Sequence, residues 1–297
     1  MSIVHIIHVI HVNGQFFCQK DRKTTTMRSQ NLPWTVLAFG LFAITVSGVF
    51  VPKVLELRAA DEAPAGNGVS WNEILPGKIL QEEVRLIRDR SKASLKEPGT
   101  YNANYKNLAV DGSVMAALAG ISIESKADVG WKANAPDVRD IGHQMAKSAT
   151  GIGRDKYENT KVAFEKLEAA FAGTVASDVK KPTRPFHETA SRDGLMKRIH
   201  NAKDWMRVNV DTEAKLKSQS EVVVHEAMMI AALGKVVTTN GYSGSDEADY
   251  QRFANTLITS AREAAVAARD QDFQKFTVST KKMTTACDQC HANYANN

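Results

Sequence analysis

Near its C-terminus the chain carries a seam of apolar and small side chains that recur in alternating steps of three and four residues. Its members are Phe273, Phe276, Thr280, Met283, Cys287 and Cys290. Such positions share one face of an α-helix, which has about 3.6 residues per turn, whereas one face of a β-strand repeats every second residue. We therefore predict a helix that ends near His291 and packs against other helices through this seam.

Helical periodicity of the same kind begins at Trp71 and covers most of the chain that follows. The predicted helices cover about residues 73–93, 105–124, 135–149, 155–172, 190–205, 213–238, 245–270 and 273–291. The chain is 43% hydrophobic but only 7% aromatic. This composition suits close packing of helices through small residues better than a β-sandwich or barrel. The sequence therefore predicts an all-α fold.

The two halves of this helical region resemble each other. The segment MAAL at 115–118 matches IAAL at 230–233, and Tyr157 near the start of the fourth helix matches Phe273 in the eighth. We predict an internal duplication that gives two tandem four-helix bundles. The alternative is that any two alanine-rich bundles align this well by chance.

These patterns divide the chain into five predicted segments. They are an N-terminal export signal or membrane anchor at 1–58, a linker at 59–70, a first four-helix bundle at 71–173, a second linker at 174–189, and a second bundle at 190–297. The first linker is short and rich in alanine and glycine, and the second contains two prolines, so both lack the periodicity of their neighbours.

The segment from Trp34 to Val51 has no charged residue and follows several basic ones. This arrangement is typical of an export element whose N-terminus stays in the cytoplasm. Val46-Ser47-Gly48 resembles a cleavage site, but the apolar run is long for a signal peptide, so an uncleaved anchor is favoured over a soluble product of cleavage. We expect the rest of the chain on the periplasmic side of the cytoplasmic membrane. Residues 1–26 are unusual for a targeting segment, so Met27 is favoured as the true start of the signal.

The charge balance excludes a nucleic-acid-binding protein. The formal net charge is +5, of which residues 1–60 carry +4 and the remaining residues +1. The remaining residues show no basic stripe of the kind that contacts phosphates.

The last predicted helix contains the motif Cys287-Asp288-Gln289-Cys290-His291. Two thiols three residues apart and an imidazole in the next position fall on one helical face. This pattern is typical of covalent haem, because the thiols add to the two vinyl groups and the imidazole reaches the iron from the same side. The alternatives are a redox-active CxxC and half of a zinc site. Zinc would need a second thiolate pair, and the only other cysteine is Cys18.

The second half, at about 186–297, resembles the cytochrome c prime family and its low-spin relatives. The carriers of the resemblance are the motif near the end of a final bundle helix and the aromatic Tyr294 three residues after the histidine. A basic residue usually follows that aromatic in the family, and Ala295 departs from this pattern.

A second, shorter element of the resemblance is an arginine followed four residues later by a haem-facing side chain. Here Arg192 and Met196 match it. The resemblance implies that Arg192 approaches a haem propionate and that Met196 faces the iron opposite His291, with one haem c bound. The first half has Ile87 in place of Met196, and its alignment pairs Cys287 with Phe171 and His291 with Val175. We therefore expect no haem in the first half.

The residue opposite His291 decides between two functions. A Met196 ligand gives six-coordinate, low-spin iron with a raised potential, suited to electron transfer. An apolar residue such as Leu195 leaves the iron open to small gases such as NO or CO. His200 and His225 are alternative ligands, and core packing is the alternative role of Met196.

A third hypothesis is a scaffold protein with a structural haem. The sequence shows no enzyme motif, and we expect a protein that is not an enzyme. Expected partners are other redox proteins and, through the N-terminal segment, the membrane; a homodimer is a further option.

Overall fold

The structure is a computed structural model that describes residues 69–174 and 184–294. Its α-helices, in chain order, are α1 (Trp71–Ile74), α2 (Gly77–Ser94), α3 (Pro98–Glu124), α4 (Ala135–Ser148), α5 (Arg154–Phe171), α6 (Phe186–Thr189), α7 (Arg192–Asn209), α8 (Glu213–Ser218), α9 (Ser220–Val236), α10 (Ala248–Arg269) and α11 (Phe273–Tyr294). One short 3₁₀-helix, Lys132–Asn134, precedes α4. No strand occurs among these residues, so the all-α prediction is confirmed.

Eight of these helices correspond to the eight predicted ones, but several boundaries differ. The helix predicted at 73–93 begins at Gly77, after the separate α1, and the one predicted at 190–205 continues to Asn209. The helix predicted from residue 105 begins at Pro98, because proline fits the first turn, where its missing N–H has no helical partner anyway. The helix predicted at 213–238 is broken into α8 and α9 at Gln219, whose φ of −117° and ψ of 14° are not helical.

Each long helix packs against its neighbours in the chain. In the first half α2 contacts α3, α3 contacts α4 and α4 contacts α5; in the second, α7 contacts α9, α9 contacts α10 and α10 contacts α11. The halves meet where α3 packs against α7 and where α1 packs against α9. The predicted linker at 174–189 is described only in part, and its described end contains α6, which packs on α3 and α4.

A single hydrophobic cluster runs through both halves. Ile87 and Leu118 from the first half and Leu195 and Leu233 from the second are fully buried members of it. The described residues lie within one compact unit that spans 58–297. Apolar burial of this kind is the main stabilising contribution to a fold, so the two halves stabilise each other.

Two glycines permit the closest helix contact in the first half. A Cβ on Gly112 of α3 would lie 2.6 Å from the carbonyl oxygen of Gly142 on α4 and 2.5 Å from the amide nitrogen of Ala146. Such distances are far inside van der Waals contact. Glycine is therefore required for α3 and α4 to approach this closely.

The predicted export element, Trp34–Val51, lies outside the described residues, as do Cys18 and Ala295. Within the described ranges, none of the helices combines the length and apolar character needed to cross a bilayer.

Candidate functional site

The motif predicted to bind haem lies in the last turns of α11. Asp272 caps the start of this helix, where its carboxylate accepts a hydrogen bond from the Lys275 amide at 2.9 Å. Buried Phe276, Met283 and Ala286 then hold one face of α11 against the core. Because Cys287 follows on the same face, the apolar seam carries the motif to the surface of the protein.

The two thiols and the imidazole differ in exposure. Cys287 and Cys290 are half-buried, whereas His291 is exposed. No hydrogen bond or ion pair of the His291 ring is found with any other described residue. The three groups follow one another along the last turns of a single helix, in agreement with the spacing argument, and the imidazole is available to a ligand.

The end of α11 is fixed by its last residue. The Tyr294 ring packs edge-on against Tyr250, with ring centroids 5.3 Å apart and an interplanar angle of 87°. Its hydroxyl donates a hydrogen bond to Glu247 at 3.0 Å. These contacts tie the turn that carries the motif to the start of α10, so the aromatic residue predicted from the family resemblance has a structural role here.

Two basic residues of helix α7 lie near the cysteines of the motif. The guanidinium of Arg192 donates to the Ser243 carbonyl at 2.9 Å and lies close enough to Cys290 to interact with it electrostatically. Lys203, three turns later, interacts in the same way with Cys287. The structure therefore brings Arg192 and the cysteine motif together.

Two neighbours on α7 differ in burial. Leu195 is fully buried in the shared core, whereas Met196 is half-buried and packs at the edge of that core. Of the two residues considered for the side of the iron opposite His291, only Met196 retains accessible surface. A thioether there has the freedom to adjust, because methionine is unbranched.

The surroundings of the two thiols disfavour the thiolate form. Burial raises the pKa of Cys287 and of Cys290, although Lys203 and Arg192 act in the opposite direction. Redox-active cysteines have a lowered pKa, commonly at the positive N-terminal end of a helix, whereas these lie at the negative C-terminal end. No group of three or more potential ligands for a metal ion occurs among the described residues. The redox and zinc alternatives therefore gain no support from the geometry.

A groove of about 390 Å³ separates the C-terminal part of α7 from α11 and begins one turn before Cys287. Its apolar walls include Met206, Phe276 and Met283, and its rim carries Lys203 and Lys281. In the predicted alignment of the two halves, Phe171 of α5 is the counterpart of Cys287. Arg88 of α2 lies 4.8 Å above that ring and forms a bidentate ion pair with Glu168, at 2.6 and 2.8 Å. Phe171 thus packs under a paired arginine, whereas its predicted counterpart Cys287 is half-buried; Val175 lies outside the described residues.

The histidines considered as alternative iron ligands have other partners. His225 forms a 2.7 Å hydrogen bond with Glu83, and His200 is exposed and lies 3.1 Å from Asp204. His143 and His187 contact the backbone carbonyls of Thr189 and Asn240. Burial lowers the pKa of His143.

A buried ionic network at the contact between the halves was not anticipated. Glu83 of α2 is fully buried and accepts two hydrogen bonds from Arg198 of α7, both at 3.0 Å. Arg198 also pairs with Glu226 of α9 at 2.5 Å, and Arg90 links Glu83 to Asp111. The sequence contained one signal: Arg198 lies on the same helical face as the apolar Leu195 and Ala202.

Comparison with protein-family models, with curated proteins and with solved structures finds no match for this chain.

Proposed function

We propose that this chain is a monohaem c-type cytochrome that transfers electrons outside the cytoplasm. The observation that carries the proposal is the position of Cys287, Cys290 and His291 in the last turns of one helix, with both thiols half-buried toward α7 and the imidazole exposed. This donor set fits covalent haem, which requires two vinyl-reactive thiols and one axial imidazole.

Each residue of the site has a defined role. The thiols of Cys287 and Cys290 would hold the haem through two thioether bonds, each formed by addition of S–H across a vinyl double bond, so attachment would need no oxidant. His291 would ligate the iron through a neutral nitrogen. Arg192, beside Cys290, is the candidate partner of a propionate. When bound, the haem supplies a one-electron couple, which the protein side chains lack.

The side opposite His291 favours electron transfer over gas binding. Met196 is half-buried at the face of α7 that carries Arg192, whereas Leu195 is turned into the core. A methionine sulfur as sixth ligand stabilises low-spin iron and raises the reduction potential. The haem half resembles the low-spin relatives of cytochrome c prime in this respect.

The remaining parts of the proposal follow from the N-terminal sequence and from the residues that the first half carries in place of the motif. An export element places the haem half on the periplasmic side, where c-type haem is attached, and tethers it to the membrane when it is not cleaved. Redox proteins are then the expected partners. The first half, with Phe171 opposite Cys287 in the alignment, is the haemless copy of a duplicated bundle.

The attachment is tested by expression in a host competent for cytochrome maturation, followed by a haem stain on a denaturing gel. Wild type is expected to stain, and the double variant Cys287→Ser/Cys290→Ser is expected to lose the stain completely. Cys18→Ser is the matched control and is expected to stain like wild type. A colourless wild-type product whose two C-terminal thiols still titrate overturns the proposal.

The electron-transfer function is tested by absorption spectra of the reduced protein. Wild type is expected to be low-spin and slow to bind carbon monoxide, and Met196→Leu is expected to become high-spin and to bind it at once. Met206→Leu, the same change on the same helix, is expected to leave the spectrum unaltered. A high-spin wild type that Met196→Leu does not change supports the gas-binding function instead.

A further inference from the structure

Positive charge is concentrated on the two helices that face each other across the groove. Helix α7 has five basic and two acidic residues, and α11 has three basic and one acidic, which gives the pair a formal net charge of +5. Residues 61–297 as a whole carry only +1, so the rest of that region is negative. Helix α5, the predicted counterpart of α11, has four basic and four acidic residues and is neutral.

Several of these cations meet at the rim of the groove. Lys203 and Arg207 come from α7 and Lys281 from α11. The only carboxylate that lines the groove, Asp211, is paired with Lys215 at 2.8 Å. The described residues provide no ion pair for Lys203 or Lys281. The rim is therefore positive, above walls formed by methionine and phenylalanine.

We propose that the groove between α7 and α11 is the docking site for an acidic segment of a redox partner protein. The proposal rests on the proposed function, because the groove begins one turn from the haem-attaching Cys287. Complementary charge steers encounter and raises association rates, most strongly at low salt. An acidic segment held here lies beside the motif that would carry the electron.

The shape of the site favours a protein over an anionic lipid surface. The cations surround a concave groove with apolar walls, which admits a protruding side chain or loop. A flat headgroup layer would reach the rim but would leave the apolar walls uncovered. Two cations of α7 that lie elsewhere are paired with carboxylates, Lys197 with Asp193 at 2.7 Å and Arg198 with Glu83 at 3.0 Å.

The test measures oxidation of the reduced full-length protein by two oxidants of opposite charge. Ferricyanide, a trianion, is expected to react more slowly as ionic strength rises, and tris(phenanthroline)cobalt(III) to react faster. The double variant Lys203→Glu/Lys281→Glu is expected to slow ferricyanide at low ionic strength by about fivefold or more. A short oligoglutamate peptide is expected to slow ferricyanide oxidation of wild type but not of this variant.

The matched control is Lys156→Glu/Lys166→Glu, two exposed lysines of α5, which changes the net charge equally. If it slows ferricyanide as much as the groove variant does, only the overall charge matters and the proposal is wrong. Binding to phosphatidylglycerol vesicles that requires Lys203 and Lys281, without any effect of oligoglutamate, also overturns it, since the occupant is then a membrane. An absorption spectrum of every variant is recorded first to show that haem is bound. A protein without haem contradicts the proposed function, and this outcome is therefore distinguished from a failure of the docking proposal.

Discussion

At the scale of single residues, the contact between α3 and α4 depends on the absence of two side chains. Gly112 faces the backbone of Gly142 and Ala146 at distances that no Cβ tolerates. We predict that Gly112→Ala destabilises the protein by about 1–3 kcal/mol, because the helices must separate to admit the methyl group. The measurement is the midpoint of urea unfolding.

Gly99 provides the control for this prediction within the same helix. A Cβ there would have no neighbour within 4 Å. Gly99→Ala is therefore expected to be neutral or to stabilise the protein by up to about 1 kcal/mol, since alanine has the better helix propensity. If the two substitutions shift the unfolding midpoint equally, the close approach of α3 and α4 does not limit stability.

Sequence periodicity was sufficient to predict the helices and the position of the motif on a helical face, because both depend on the spacing of nearby residues. The position of Cys287 on the seam of α11 follows directly from its spacing with Phe276 and Met283. Other features depend on residues distant in sequence. The charge on α7 and α11 was hidden because acidic residues elsewhere cancel it in the total, and the partner of Glu83 lies on a helix that periodicity alone cannot place beside α2.

At the scale of elements, Glu83 connects α2 to α7 and α9. Burial alone would raise the pKa of this carboxyl, but Arg198 and a hydrogen bond from His225 hold it well below its usual 4.5. Removal of one partner from a buried ion pair leaves an uncompensated charge. We predict that Glu83→Gln lowers the free energy of unfolding by about 3–5 kcal/mol, measured by denaturant titration at pH 7.

The control is Glu168→Gln, which breaks the ion pair between Glu168 and Arg88. Both side chains of this pair are more than a third exposed. This substitution is expected to cost less than about 1 kcal/mol. Equal effects of the two substitutions would mean that burial of the Glu83 network adds nothing to the stability that an exposed pair provides.

The same network gives stability a pH dependence with a definite sign. Because the folded-state pKa of Glu83 lies below its unfolded value, its contribution is complete above pH 4.5 and is lost as the pH falls toward the folded value. Burial raises the pKa of Asp111, which acts in the opposite sense. The difference in unfolding free energy between wild type and Glu83→Gln is expected to shrink below pH 4.5.

At the scale of the whole molecule, the first half supports the half proposed to bind haem. Arg198, two residues beyond Met196, is neutralised in part by a carboxylate from the first half, and the side chains of Ser113 on α3 and of Ser191 at the cap of α7 lie 3.0 Å apart. Because one hydrophobic cluster runs through both halves, separation would expose apolar surface on each.

We therefore predict that the full-length protein unfolds in a single cooperative transition, observed by calorimetry, with haem absorbance and helical circular dichroism lost together. A fragment of residues 184–297 retains the motif but loses Glu83 and the packing of α3 on α7. It is expected to melt at a lower temperature and less cooperatively than the full-length protein. Two outcomes would show instead that the second half is an autonomous domain. One is two separate transitions in the full-length protein, and the other is a fragment whose haem absorbance is lost at the same temperature as that of the intact chain.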